Sequence, residues 1–384
     1  MAQGRFVVFF VVALALAYVS VISAFWNLGR RLPEAIAVEG LAEHPDRIMG
    51  RATLSFRESR GKLDSIDFPS LRRALARAPL EEEPFVFTAA QLAASGRIAE
   101  AEAMLRESIR RNPRSREGRL IFLTLLAQRG NAHEAVTQIE ALYRLMPEQR
   151  PVLRDTLVYL ASFPGTRQST LAAVSEDLHK RDILQGLARS GASASMLLET
   201  LDAFRDVVPR DARESFVASL SGPLLRAGDP RGALRVWMHF NPEAYADGSV
   251  LLDEHLNGSF APPFGWEVRG GSDGYARIGN NGLEGEHYGR RAALLAQQTA
   301  ILGPGEYTLS VLAENHGRGL SFDVSCNKEG DIATVDLESR ENRTHLNVPN
   351  DCPAVTLELR ARPSDPPRKS MFRITQVSLE RDEK

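Results

Sequence analysis

Two stretches, Gly96–Pro113 (GRIAEAEAMLRESIRRNP) and Gly130–Pro147 (GNAHEAVTQIEALYRLMP), decide how this chain is read. Gly96 and Gly130, Ala101 and Ala135, and Pro113 and Pro147 each stand 34 residues apart. Leu105 and Ile139 fill the matching apolar slot. Glycine can turn one helix into the next, a small alanine lets two helices approach closely, and proline ends the second helix. Self-similarity at a fixed period marks a stack of helical pairs that bury a core only against their neighbours.

These residues resemble the tetratricopeptide repeat, whose period is 34. The resemblance covers roughly residues 84–149. It departs from the pattern where position four carries Phe85 and then the charged Arg119. It departs again where the small residue late in the second helix is Ser108 and then Leu142. The resemblance implies a groove that holds an extended peptide or a partner helix, not a catalytic centre.

Moving outward, ILQGLARSGASASMLLETLDAFRDVVP and SLSGPLLRAGDPRGALRVWMHFNP keep the helical spacing of apolar residues. Gly228, Ala233 and Trp237 repeat the plus-five and plus-nine spacing of the clear units. Residues 68–242 are therefore expected to form an α-helical solenoid, with Trp237 and Phe240 as terminal packing. Residues 32–67 read as a linker.

At Leu251 the apolar period changes from 3.6 to 2. YTLSVLA puts Tyr307, Leu309, Val311 and Ala313 on one face. LSFDVSC does so with Leu320, Phe322, Val324 and Cys326, and VTLELRA with Val355, Leu357, Leu359 and Ala361. In FRITQVSL the alternation slips between Ile374 and Val377, which predicts a β-bulge. An antiparallel β-sandwich over residues 250–381 follows, so the fold class is multidomain α + β. The anchors Asn257, Phe260, Trp266, Gly305 and Tyr307 resemble those of galactose-binding-like jelly rolls, which include many carbohydrate-binding modules. That resemblance implies a glycan as ligand and allows a structural calcium ion held by Asp253 or Glu254; no other cofactor is expected.

Near the N-terminus, Phe6 to Gly29 carries no charge (FVVFFVVALALAYVSVISAFWNLG), and Phe25 and Trp26 close the run before Arg30 and Arg31. About 20 apolar residues span a ~30 Å hydrocarbon core. Residues 1–31 are expected to be a transmembrane anchor, a cleaved signal peptide being the alternative. Cys326 and Cys352 are the two cysteines, local and within the β region. They suit a disulfide in an oxidising compartment, with two buried thiols as the alternative. This places the body on the periplasmic side of a bacterial cytoplasmic membrane. A net charge of −2 leaves no field that favours nucleic acid.

The candidate chemistry gathers between Ser272 and Arg291. Tyr275, Asn280, Asn281, Glu284, His287, Tyr288 and Arg290 supply rings and hydrogen-bonding groups of the kind that recognise sugars. GGSDG (Gly270 to Gly274) matches G-x-S-x-G, but no helical pattern follows it, so it reads as a β-turn. The expected function is an envelope scaffold with a protein partner on its helices and a glycan on its sandwich, as in exopolysaccharide assembly. One alternative is a glycan-active enzyme using Glu284 or Glu286. Another is a cytoplasm-facing adaptor with a purely structural jelly roll.

Overall fold

A computed structural model of the protein describes residues 45–58, 68–77, 81–204, 207, 213–244, 250–315, 318–326 and 330–382. The apolar run Phe6 to Gly29, read as an anchor or signal, lies outside these residues. Among the described residues no helix is long and apolar enough to cross a membrane. The chain divides into two compact units, Met1–Leu153 and Arg154–Lys384.

In the first unit, α1 (Pro45–Glu58) and α2 (Phe68–Arg77) precede two helical hairpins. One pairs α3 (Glu83–Ala94) with α4 (Ile98–Arg111); the other pairs α5 (Arg116–Gln128) with α6 (Ala132–Leu145). Helix α1 falls inside the stretch read as linker. Its Ile48, Met49 and Ala52 are buried against Leu71 and Ala74 of α2. Gly50 and several charged residues dilute its apolar stripe, which is why the periodicity does not announce it.

The 34-residue period becomes a repeated turn. Gly96 and Gly130 have φ values of 77° and 70°, a left-handed conformation that favours glycine. In each turn the glycine N–H bonds the carbonyl three residues back (Ala93, Ala127) and the next N–H the carbonyl five back (Leu92, Leu126). Those bonds satisfy carbonyls that the ending helix leaves free. Ala101, Leu105, Ala135 and Ile139 are fully buried. Each of the larger two contributes about 1.5–3 kcal/mol by leaving water.

The second unit begins within α7 (Arg150–Ser162). It continues through α8 (Pro164–Ala173), α9 (Asp177–Arg189), α10 (Ala194–Ala203), α11 (Arg213–Arg226) and α12 (Pro230–Phe240). The same glycine turn recurs at Gly191 and Gly228, both with φ 82°. Ala233 and Trp237 are buried in the slots that Ala135 and Ile139 fill in the clear repeat.

Among the described residues eleven strands follow: β1 (Glu267–Val268), β2 (Gly270–Gly271), β3 (Gly274–Gly279), β4 (Gly282–His287), β5 (Ala293–Ala300), β6 (Gly305–Asn315), β7 (Leu320–Cys326), β8 (Gly330–Asp336), β9 (Glu341–Val348), β10 (Val355–Ala361) and β11 (Ser370–Arg381). They form a five-stranded sheet, β1-β5-β10-β7-β8, and a six-stranded sheet, β2-β3-β4-β11-β6-β9, in which the paired strands run antiparallel. One core joins them: Leu295, Phe322, Val324, Leu357 and Leu359 from the first meet Leu283, Leu309, Val311, Ile374 and Val377 from the second. The register between β11 and β6 shifts between Arg373 and Ile374 and again between Ile374 and Gln376, where the slipped alternation predicts a bulge. Cys326 and Cys352 are joined by a disulfide that ties the end of β7 to the turn before β10.

The helices do not stop at the edge of the sandwich. Trp237 of α12 donates its indole N–H to the carbonyl of Ala261 at 2.9 Å. Its ring centroid lies 5.6 Å from that of Phe264 and 6.0 Å from that of Phe260. Phe260 therefore lies against the helix, whereas Trp266 enters the sandwich core edge-on to Phe322. On β5, the amide group of Gln298 donates to the carbonyls of Leu252 and Phe264, fastening the other side of this lead-in. The change from helix to strand near Leu251 is thus internal to the second unit.

Candidate functional site

The stretch from Tyr275 to His287 is a β-hairpin. β3 and β4 pair from Gly274↔His287 to Gly279↔Gly282, and Asn280 and Asn281 make its two-residue tip. Its glycines hid the alternation. A Cβ on Gly285 would stand 2.1 Å from the Tyr275 carbonyl oxygen and 2.6 Å from the Phe372 ring, so a neighbour's ring fills the core position of this residue. GGSDG is the adjoining hairpin, with Gly270 and Gly271 paired to Tyr275 and Gly274 and an exposed Ser272 in the turn.

Strand alternation now sorts the candidates. Ala276, Leu283, Phe372 and Ile374 point into the core, so Tyr275, Arg277, Glu284, Glu286, Met371 and Arg373 point out. Cross-strand register aligns them in two rungs, Tyr275–Glu286–Met371 and Arg277–Glu284–Arg373. Together with Glu314 and Asn315 on β6 they line a groove of about 450 Å³. Met371 is 57% exposed, a large apolar side chain offered to solvent on the rung of Tyr275, with Glu286 between them.

The second rung is a charge ladder. Arg277 and Arg373 approach Glu284 at 2.8 and 3.3 Å, and Arg373 also reaches Glu314 at 3.4 Å. Lys369 bonds Glu286 at 2.9 Å. Hydrogen bonds from Arg277 and Arg373 hold the Glu284 carboxyl below its ordinary range, and the bond that Lys369 donates to Glu286 raises Lys369 above its own. Exposed pairs of this kind add little to stability. What they do here is hold flat polar groups in set orientations.

The other sequence candidates lie elsewhere. Asn280 and Asn281 are exposed at the hairpin tip. His287 is 1% exposed and faces inward, its Nδ1 accepting from the Gly289 N–H at 3.0 Å, which makes it a turn-forming residue. Tyr288 is half-buried beyond the strand, its N–H on the Asp273 carbonyl. Arg290 is exposed past the end of β4. The groove therefore unites Tyr275 and Glu284 with Arg277, Glu286, Glu314, Met371 and Arg373. The residues from β6 and β11 were missed because no local pattern links them to the hairpin. The alternation in MFRI, extended to solvent, would have raised Met371 and Arg373.

Asp253, one of the two carboxylates offered for calcium, binds backbone N–H groups. Its two carboxylate oxygens accept the N–H groups of Asn257 and Gly258 at 2.9 and 2.8 Å and shape the lead-in to the sandwich. Among the described residues no group of three His, Cys, Asp or Glu side chains is placed to hold a metal ion.

No protein-family model and no curated protein matches the chain. Solved structures resemble parts of it. TmCBM61, determined with β-1,4-galactotriose, is 14% identical over 34% of this chain and 98% of its own, with a TM-score of 0.25. YrrB, a tetratricopeptide-repeat protein with an unusual peptide-binding site, is 14% identical over 45% of this chain and 93% of its own, TM-score 0.25. MamA from Desulfovibrio magneticus RS-1 is 12% identical over 53% of this chain and 98% of its own, TM-score 0.25. A carbohydrate-binding module and helical-repeat proteins thus both stand among the similar structures.

Proposed function

We propose that this chain is a binding scaffold whose sandwich groove holds a glycan and whose helical hairpins hold a protein partner. The groove on the outer face of the six-stranded sheet carries this reading. Tyr275 and the exposed Met371, on either side of Glu286, each offer apolar surface to the C–H face of a sugar unit. The oriented carboxylates and guanidiniums of Arg277, Glu284 and Arg373 offer hydrogen bonds to its hydroxyls. Two guanidiniums favour the ionised form of Glu284, which does not suit it to the proton-donating role of a glycosidase. In the same reading, residues 6–29 anchor the chain in a bacterial cytoplasmic membrane. The body then faces the periplasm, where the Cys326–Cys352 bond persists and envelope polysaccharide is assembled.

A glycan array probed with the purified chain tests the reading, with β-1,4-galactan as a first neutral polymer. Tyr275→Ala and Met371→Ala are each expected to weaken the best glycan about tenfold, or ~1.4 kcal/mol. Binding that ignores both substitutions would remove the groove from the account.

A further inference from the structure

Among the described residues the groove is lined by two cations, Arg277 and Arg373, and three carboxylates, Glu284, Glu286 and Glu314; Lys369, outside the lining, bonds Glu286 and brings the charges into balance. Glu284 is the centre of that arrangement. It sits on β4 directly across from Arg277 on one side and Arg373 on the other, and it bonds both. A guanidinium is the side chain best matched to a carboxylate, through two parallel N–H bonds. Here Arg277 turns its Nε and Nη2 to one oxygen of Glu284, and Arg373 turns Nη2 to the other.

Resting on the glycan reading of this groove, we infer that Glu284 sets the charge of the ligand: by occupying Arg277 and Arg373 it reserves the groove for uncharged sugars and excludes uronic acids. An anionic sugar entering beside Tyr275 must displace Glu284 from its partners. It then faces the displaced carboxylate together with Glu286, which projects from the same face of β4 two residues on, and Glu314. Like charges at such distances repel. An uncharged sugar displaces nothing and meets fixed donors and acceptors. Replacing Glu284 with glutamine keeps the size of the side chain and removes its charge. Two guanidiniums then stand on either side of one strand with Glu314 left to share, and the groove gains one net positive charge. A sugar carboxylate fits the place that the Glu284 carboxylate held.

The experiment measures binding of the whole chain and of Glu284→Gln to β-1,4-galactan and to polygalacturonate, at about 50 and about 500 mM salt. The wild type is expected to bind the neutral polymer with less than about threefold change between the two salts, because no net charge is screened. Its affinity for polygalacturonate is expected to be at least about tenfold weaker. Glu284→Gln is expected to gain at least about tenfold for polygalacturonate at low salt and to lose the gain at high salt. Glu284→Asp, which keeps the charge, should gain nothing. Preference of the wild type for polygalacturonate overturns the inference while leaving the glycan reading intact. A Glu284→Gln protein with wild-type circular dichroism and no gain also overturns it. If the wild type binds no glycan but Glu284→Gln binds the acidic polymer, Glu284 is the charge gate and the glycan reading falls. If neither protein binds either polymer, both fall. Should Glu284→Gln not fold, the salt response and polymer preference of the wild type still decide the matter.

Discussion

Replacing Trp237 with alanine removes a fully buried indole from the place where α12 grips the start of the sandwich. Two losses add. Emptying a buried tryptophan site costs about 3–5 kcal/mol, because the surroundings close only in part. The Ala261 carbonyl also loses its 2.9 Å donor, which costs about 1 kcal/mol more at a half-buried site. The sum is about 4–6 kcal/mol, a large share of the stability of an ordinary domain. Trp237→Phe keeps a ring against Phe260 and Phe264 but loses the N–H and some volume, so about 1–3 kcal/mol is expected. Urea unfolding followed by circular dichroism measures both. Hydrogen exchange locates the effect: the Gly265 N–H bonded to Ala261 and the Thr299 N–H bonded to Pro263 should exchange faster by about three powers of ten in Trp237→Ala. If Trp237→Ala costs less than about 1 kcal/mol, or if those two amides exchange as in the wild type, the helix does not hold the lead-in and the reasoning fails.

Three further outcomes follow from the same structure. Cys352→Ser opens a link between residues 26 apart, which should lower stability by about 3–4 kcal/mol, and reductant should then have no further effect on the melt. Burial raises the Glu82 carboxyl above 4.5, outweighing bonds from Asn112 and Ser115 that lower it. The folded state therefore holds its proton more tightly than the unfolded state. The stability this provides is complete below pH 4.5 and is lost as pH rises through the folded value, so Glu82→Gln should flatten the pH profile of stability above 4.5. A profile unchanged by the substitution contradicts this. Gly96→Ala meets no atom within 4 Å of the added carbon, yet φ is 77°. A loss of about 1–2 kcal/mol in thermal or urea unfolding is expected from the backbone alone, and a neutral result would show that the turn relaxes.

The first hairpins were legible because their determinants are local. A glycine turn, an alanine five residues on and an apolar residue nine on act within one helical pair, so their spacing survives in the sequence. The same holds for the alternation of β6, β7 and β10, and for the slip in FRITQVSL that becomes a bulge. Helix α1 was not legible, since its few buried residues acquire a purpose only beside Leu71 and Ala74. The β3–β4 hairpin was hidden for a related reason: Gly285 is a core position filled by the ring of Phe372, a residue 87 positions away.

By itself, then, the sequence determined the two kinds of architecture in this chain, because periods of 3.6 and 2 are imposed by how each element turns its side chains towards a core. It also named Tyr275 and Glu284. Only the tertiary structure decided which residues join them. The pairing of β11 with β4 and β6 brings Met371, Arg373 and Glu314 beside the hairpin, and strand parity turns His287 inward while Glu284 and Glu286 face out. Register between distant strands sets both outcomes, and it is chosen by the burial of a whole sheet face, which no single stretch of sequence contains.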